Sequence, residues 1–301
     1  FTLPSELAAL ALQNKAVIYN LLFRAIAETL TEVAAGWKDL KAKIGFFAIL
    51  HTWGQKLDLH PHLHCVVPGG GISLDGTRWV SCPRGFLMPV KLLSRKFRGK
   101  FLALLKESHQ RGELTLKGSL AAYSSQVAFN HWLSPLYGKE WVVYAKPPWN
   151  GPQNVLKYLA RYTHRVAIAN ERLLSIDGGQ VTFSYKDYRH GHRQRRLTLS
   201  ANEFMRRFMM HVLPSGFMRI RYYGFLANAH RSQQLSKIRK LLNVPEPENP
   251  DQHDCEDSFD QAQDPAFDQC PHCQQGPMRL IEAAARPTIP QILKLPLMVP
   301  M

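Results

Sequence analysis

The sequence predicts an α+β protein, and two observations carry that prediction. Short apolar or β-branched runs bounded by turn residues recur at 44–50, 62–67, 78–80, 140–145, 172–185 and 217–225. Between them, apolar residues return at helical spacing, within 3–37, the later part of 84–105, 121–136, 152–166, 200–212 and 230–242.

Composition narrows the class. The chain has 301 residues and is 45% hydrophobic, enough to bury a sizeable core in one large domain or two smaller ones. A net charge of +15 points to a polyanionic partner, most simply nucleic acid. Five scattered cysteines suit a reducing cytosol better than a disulfide framework. No apolar run reaches membrane-spanning length, and no signal peptide is visible, so a cytoplasmic protein is expected. The chain opens at Phe1 without a methionine and reads as a fragment.

The first helical segment covers residues 3–37. Pro4 stands near its start, Leu7, Leu10, Val17, Leu21, Ile26 and Leu30 form its apolar stripe, and Ala35-Gly36 ends it. It constitutes an N-terminal segment over 1–40, ahead of a main domain over 41–243. The run Ile44-Gly45-Phe46-Phe47-Ala48-Ile49-Leu50 reads as a central strand buried on both faces. His51 follows at its end and Gln55 lies in the next loop.

The most informative stretch is His60-Pro61-His62-Leu63-His64-Cys65-Val66-Val67, closed by Pro68-Gly69-Gly70-Gly71. Side chains on a strand alternate between faces, so His62 and His64 project together while Leu63 and Cys65 point away. His60 has the same parity. A lone histidine on a strand is usually a hydrogen-bonded residue, but crowded imidazoles repel when protonated and gain little from packing. Neutral imidazole is the commonest metal ligand, so His62 and His64, with His60, are candidate ligands. Consecutive strands tend to be neighbours, which makes His51 or Gln55 an alternative third ligand. Such a set suits Mg²⁺, Mn²⁺ or Zn²⁺ without selecting one.

Asp75-Gly76 makes a turn before a short strand at 78–80. Lys91, Arg95, Lys96, Arg98 and Lys100 then alternate with apolar residues on a basic amphipathic helix, whose charged face is either solvated or in contact with phosphate. A helix over 121–136 ends near Gly138, and a strand over 140–145 is stopped by Pro147-Pro148.

A second informative helix starts near Pro152, which suits the first helical position. Tyr158 and Tyr162 stand four apart and share a face, flanked by Lys157, Arg161 and Arg165. Tyrosines at this spacing most often pack in a core. Near a metal, though, an activated phenol is a covalent nucleophile, and the divalent ion offsets phosphoryl charge.

Residues 172–185 read as a hairpin turning at Asp177-Gly178-Gly179. Lys186, Tyr188, Arg189, His190, His192, Arg193, Arg195 and Arg196 follow; this mixture of cations and rings suits backbone contact and base stacking on DNA. Ser200-Ala201-Asn202-Glu203 is a capping box that opens a helix to Val212. A strand over 217–225 and a basic helix over 230–242 complete the domain.

Residues 244–269 hold nine acidic residues and no Lys or Arg, the composition of a disordered linker. In the tail, 270–301, Cys270-Pro271-His272-Cys273 has the spacing of half a zinc site, making Cys270 and Cys273 candidate Zn²⁺ ligands.

With these motifs in hand, the chain resembles the two-tyrosine rolling-circle transposases of bacterial insertion sequences, within the HUH endonuclease superfamily. HPHLHCVVPGGG and YLARYTHR carry the resemblance, together with the block at 217–228. It implies a central antiparallel sheet bearing the histidines, flanked by helices, one of which bears the tyrosines. It implies a divalent ion, Mg²⁺ or Mn²⁺, and single-stranded DNA at transposon ends. It implies cleavage through a 5′-phosphotyrosine with a free 3′-hydroxyl, in a bacterial cytoplasm at the nucleoid. Such proteins usually carry an N-terminal zinc module, and none is visible here. The competing readings are a DNA-binding remnant without activity and a metal-dependent hydrolase that uses water.

Overall fold

The apolar spacing near the amino end produces two helices rather than the single one expected. A 3₁₀ turn at Ser5–Leu7 leads into α1 (Ala8–Gln13), and α2 (Lys15–Gly36) follows after a break at Asn14. The break has a side-chain cause. The Asn14 amide donates to the Leu10 and Thr115 carbonyls and accepts from the Thr115 N–H, so it serves a strand of chain a hundred residues away. This computed structural model describes residues 1–83, 88–146, 153, 155, 167–188 and 191–246.

Three antiparallel sheets of three strands each follow. The first joins β1 (Ala42–Lys43) to β4 (Gly70–Ser73) and β5 (Trp79–Ser81). The central one places β2 (Phe46–Trp53) between β3 (Leu59–Val66) and β9 (Ile220–Tyr223). The third orders β6 (Leu173–Asp177), β7 (Gln180–Asp187) and β8 (Arg193–Ser200). The expected antiparallel sheet with the apolar run at its centre is therefore present.

Parity explains how the central sheet is used. Ala48 and Leu50 of β2 and Leu63 of β3 are buried in a core shared with Ile18, Leu22 and Ile26 of α2. The opposite face carries Ile49, His51 and Trp53. The core extends through α3 (Val90–Gln110), whose Phe97, Phe101 and Leu105 are fully buried, to Phe129 and Leu133 of α4 (Gln126–Gly138). Burying a large apolar side chain stabilises by about 1.5–3 kcal/mol, so this face holds the sheet while the other stays available for polar chemistry.

The structure corrects three further expectations. Residues 140–145 form no strand: Trp141 turns into the core and its indole donates to the Leu136 carbonyl, while Val142 bonds to the Thr2 N–H. The helix expected over 121–136 begins only after a 3₁₀ turn at Gly118–Tyr123 and a Ser125 cap. The basic run after Asp187 is partly a strand, β8, held by a full ladder to β7. The Gly178-Gly179 turn before β7 has both glycines at positive φ, as a two-residue hairpin turn requires. α5 (Ala201–Met209) opens on the anticipated cap, with Ser200 Oγ accepting the Glu203 N–H. α6 (Arg231–Leu242) closes the described chain and stops at Asn243 in the left-handed region.

Candidate metal centre

Register brings the histidines together. His51 on β2 pairs directly with His62 on β3, and directly opposed residues of an antiparallel pair share a face. His64 lies two residues beyond His62 and projects on the same side. His51, His62 and His64 each offer a ring nitrogen within 4.8 Å of the others. His51 is 2% exposed, and the other two are half-buried.

The donor set fits a metal. His62 Nδ1 lies 2.7 Å from the His60 carbonyl, which can only accept; this fixes Nδ1 as the protonated nitrogen and leaves Nε2 with its lone pair. That Nε2 lies 3.1 Å from His64 Nε2. Imidazole nitrogens bound about 2.0–2.1 Å from one ion stand on the order of 3 Å apart, the spacing found here. Burial, then the neighbouring His64, holds His62 well below the usual imidazole range. Burial, then the charge of His51, pushes His64 down to about 3. Both rings are therefore neutral at pH 7, the form that ligates.

His60 shares the parity but is not one of the three. Its contribution to the site is its main-chain oxygen, which orients His62. Gln55 takes another role as well: its amide oxygen accepts the Lys186 N–H at 3.2 Å, and its carbonyl accepts from Arg172. Arg172 also donates to the Ser184 carbonyl, so the loop after β2 is fastened to β7. Sequence reading missed this arginine and a buried pair next in the chain to His51, Thr52 Oγ1 and His211 Nδ1 at 3.2 Å. His211 is a lone histidine after a helix, and no spacing marked it.

Of the expected DNA contacts, Lys186 sits on β7 and Arg193, Arg195 and Arg196 on β8. Arg195 pairs with Asp187 at 3.3 Å. Arg193 and Arg196 are exposed and have no carboxylate partner among the described residues. Tyr158, Tyr162, Lys157, Arg161, Arg165, Arg189, Cys270 and Cys273 lie outside the described residues. No helix among those described is long and apolar enough to cross a membrane.

Fold and site together define a basic α+β protein with a cluster of three histidines suited to a metal ion, built on an antiparallel strand pair. A family model described as "Putative transposase", Y2_Tnp, matches residues 45–234, and the chain belongs to that transposase family. A protein of Sinorhizobium fredii named "Putative transposase y4qJ" is 54% identical over 285 residues, covering 94% of this chain and 72% of the relative. The "Transposase for insertion sequence element IS801" of Pseudomonas savastanoi pv. phaseolicola is 28% identical over 251 residues, covering 82% and 58%. Among solved structures, TrwC complexed with a 27-mer DNA comprising the recognition hairpin and the cleavage site aligns with a TM-score of 0.28 and 13% identity, over 81% of this chain and 73% of that one.

Proposed function

We propose that this chain nicks and rejoins single-stranded DNA at the ends of a transposable element, using the imidazole centre and the tyrosine pair. The observation that carries this reading is the convergence of His51, His62 and His64 in a chain of a transposase family. A divalent ion held there would polarise a phosphoryl oxygen and offset charge in the transition state. Of the two ions expected, nitrogen donors favour Mn²⁺ over Mg²⁺.

The remaining steps belong to side chains. Tyr158 or Tyr162 gives up its phenolic proton, and its oxygen forms a bond to phosphorus. The bond from phosphorus to the 3′ oxygen breaks, and that oxygen takes up a proton. The products are a 5′-phosphotyrosine and a free 3′-hydroxyl; the reverse attack joins strands. A second tyrosine lets the protein hold one end while attacking another. Lys157, Arg161 and Arg165 steady the phosphate, and Lys186, Arg189, Arg193, Arg195 and Arg196 bind the strand. Cys270 and Cys273 supply half of a separate Zn²⁺ site.

The test uses an element-end oligonucleotide labelled at its 3′ end, with Mn²⁺. A protease-sensitive, slowly migrating species carrying the label should form. It should vanish in the double variant Tyr158→Phe/Tyr162→Phe. An adduct that persists there rejects the tyrosines, and metal-dependent cleavage without any adduct favours a water nucleophile.

A further inference from the structure

The cations of α3 divide into two groups. Lys96 and Lys100 face α2, where Lys96 pairs with Glu32, and Lys100 with Glu32 at 2.8 Å and Glu28 at 3.5 Å. Lys91, Arg95 and Arg98 stand at i, i+4 and i+7 and share another face. They line a cavity of about 510 Å³ whose far wall is residues 140–143. No carboxylate is in ion-pair reach of these three among the described residues, and the single acid in the wall is Glu140. The Arg98 Nε is buried without a hydrogen-bond partner, although Nη1 donates to the Lys139 carbonyl at 2.6 Å. A buried donor in that position calls for an acceptor. The wall is fixed in place, since Ser94 Oγ donates to the Trp141 carbonyl at 2.7 Å.

The same wall leads toward the imidazoles. Val142 bonds to Thr2, and Thr2 bridges to His62. Tyr144 is 73% exposed, and Lys146 follows it two residues on. A cationic cavity, an exposed ring and a lysine therefore follow one another along a segment joined through Thr2 to the strand that carries His62.

We propose that this cavity is a second DNA contact, holding backbone phosphates of the strand whose scissile phosphate lies at the imidazoles. This rests on the proposed function. Tyr144 stacks on a base between the two points, as sequence-tolerant single-strand surfaces do.

The test is fluorescence anisotropy with a labelled single-stranded oligonucleotide across a salt series, comparing the protein with Lys91→Ala/Arg95→Ala. Both side chains are exposed, and thermal melting with Mn²⁺ titration checks that fold and metal centre persist. The expected result is a tenfold or greater loss of affinity and a salt slope lower by about 1.4, from two contacts at ~0.7 each for single strands. Protection of Lys91 from acetylation by the oligonucleotide should agree in the unmodified protein. Unchanged affinity and slope, without protection, overturn this site alone. Inorganic phosphate that binds the cavity while oligonucleotide affinity stays unchanged in the variant also overturns it, as a small-anion pocket. A protein that binds no single strand at all overturns the functional reading and this one with it.

Discussion

His51 and His62 stand directly opposite each other on antiparallel β2 and β3, with ring centroids 5.5 Å apart and planes crossing at 87°. That register gives a two-residue motif its third imidazole. Shifting the pairing by one residue would send His51 into the core and leave His62 and His64 as an incomplete pair.

His51→Ala should therefore lower Mn²⁺ affinity by about 100-fold or more, beyond the 10–100-fold typical of outer-shell losses. His60→Ala should leave it nearly unchanged, because the carbonyl that orients His62 belongs to the backbone. Calorimetric titration of both variants checks this. Equal losses would restore His60 as a ligand.

Stability should fall with acid in the metal-free protein. Burial lowers His62, His64 and His211 below the unfolded imidazole value of about 6.5. The unfolded chain then binds more protons below that pH, so stability is full above it and declines as pH falls toward 3. Melting temperatures measured in chelator should drop between pH 7 and pH 5, with a shallower dependence in His211→Asn. A flat profile over that window would contradict the burial of these rings.

Gly224 is a backbone requirement where β9 ends. It has φ of +59°, and a Cβ there would lie 1.8 Å from the Ile44 carbonyl oxygen. Gly224→Ala should cost about 3 kcal/mol or more, since it combines conformational strain with a clash against main chain. Chemical denaturation measures this, and a loss under 1 kcal/mol, the scale of an ordinary surface change, would mean that the β2–β9 junction is arranged differently.

On β8 the arginines should differ. Arg193→Ala and Arg196→Ala should each weaken single-strand binding and reduce its salt slope by about 0.7. Arg195→Ala should do less, because Asp187 already partners its guanidinium. Salt-dependent binding by each variant decides the matter; equal effects would mean that Asp187 does not weaken the hold of Arg195 on the strand.

Much of this was legible because local pattern and tertiary role agreed. The apolar run at 44–50 reads as a central strand and supplies most of β2, and alternation alone put His62 and His64 together. The third imidazole was legible only as one of several candidates, His60, His51 and Gln55, since the choice depends on which residue of β2 faces His62. The segment at 140–145 has strand composition but no ladder partner among the described residues, and Trp141 packs inward. Conversely, β8 opens on four polar residues that give no apolar alternation to mark a strand, and its ladder to β7 makes it one. Asn14 breaks a strongly periodic helix through bonds to Thr115 that no local signal announces.

In the proposed reaction Tyr158 or Tyr162 attacks DNA held at the three imidazoles. Mass spectrometry of the proteolysed adduct tests it most directly. The account requires the nucleotide on the peptide containing Tyr158 and Tyr162, formed only with a divalent ion and lost in His62→Ala. A nucleotide carried by any other residue, or the same yield after His62→Ala, would contradict it.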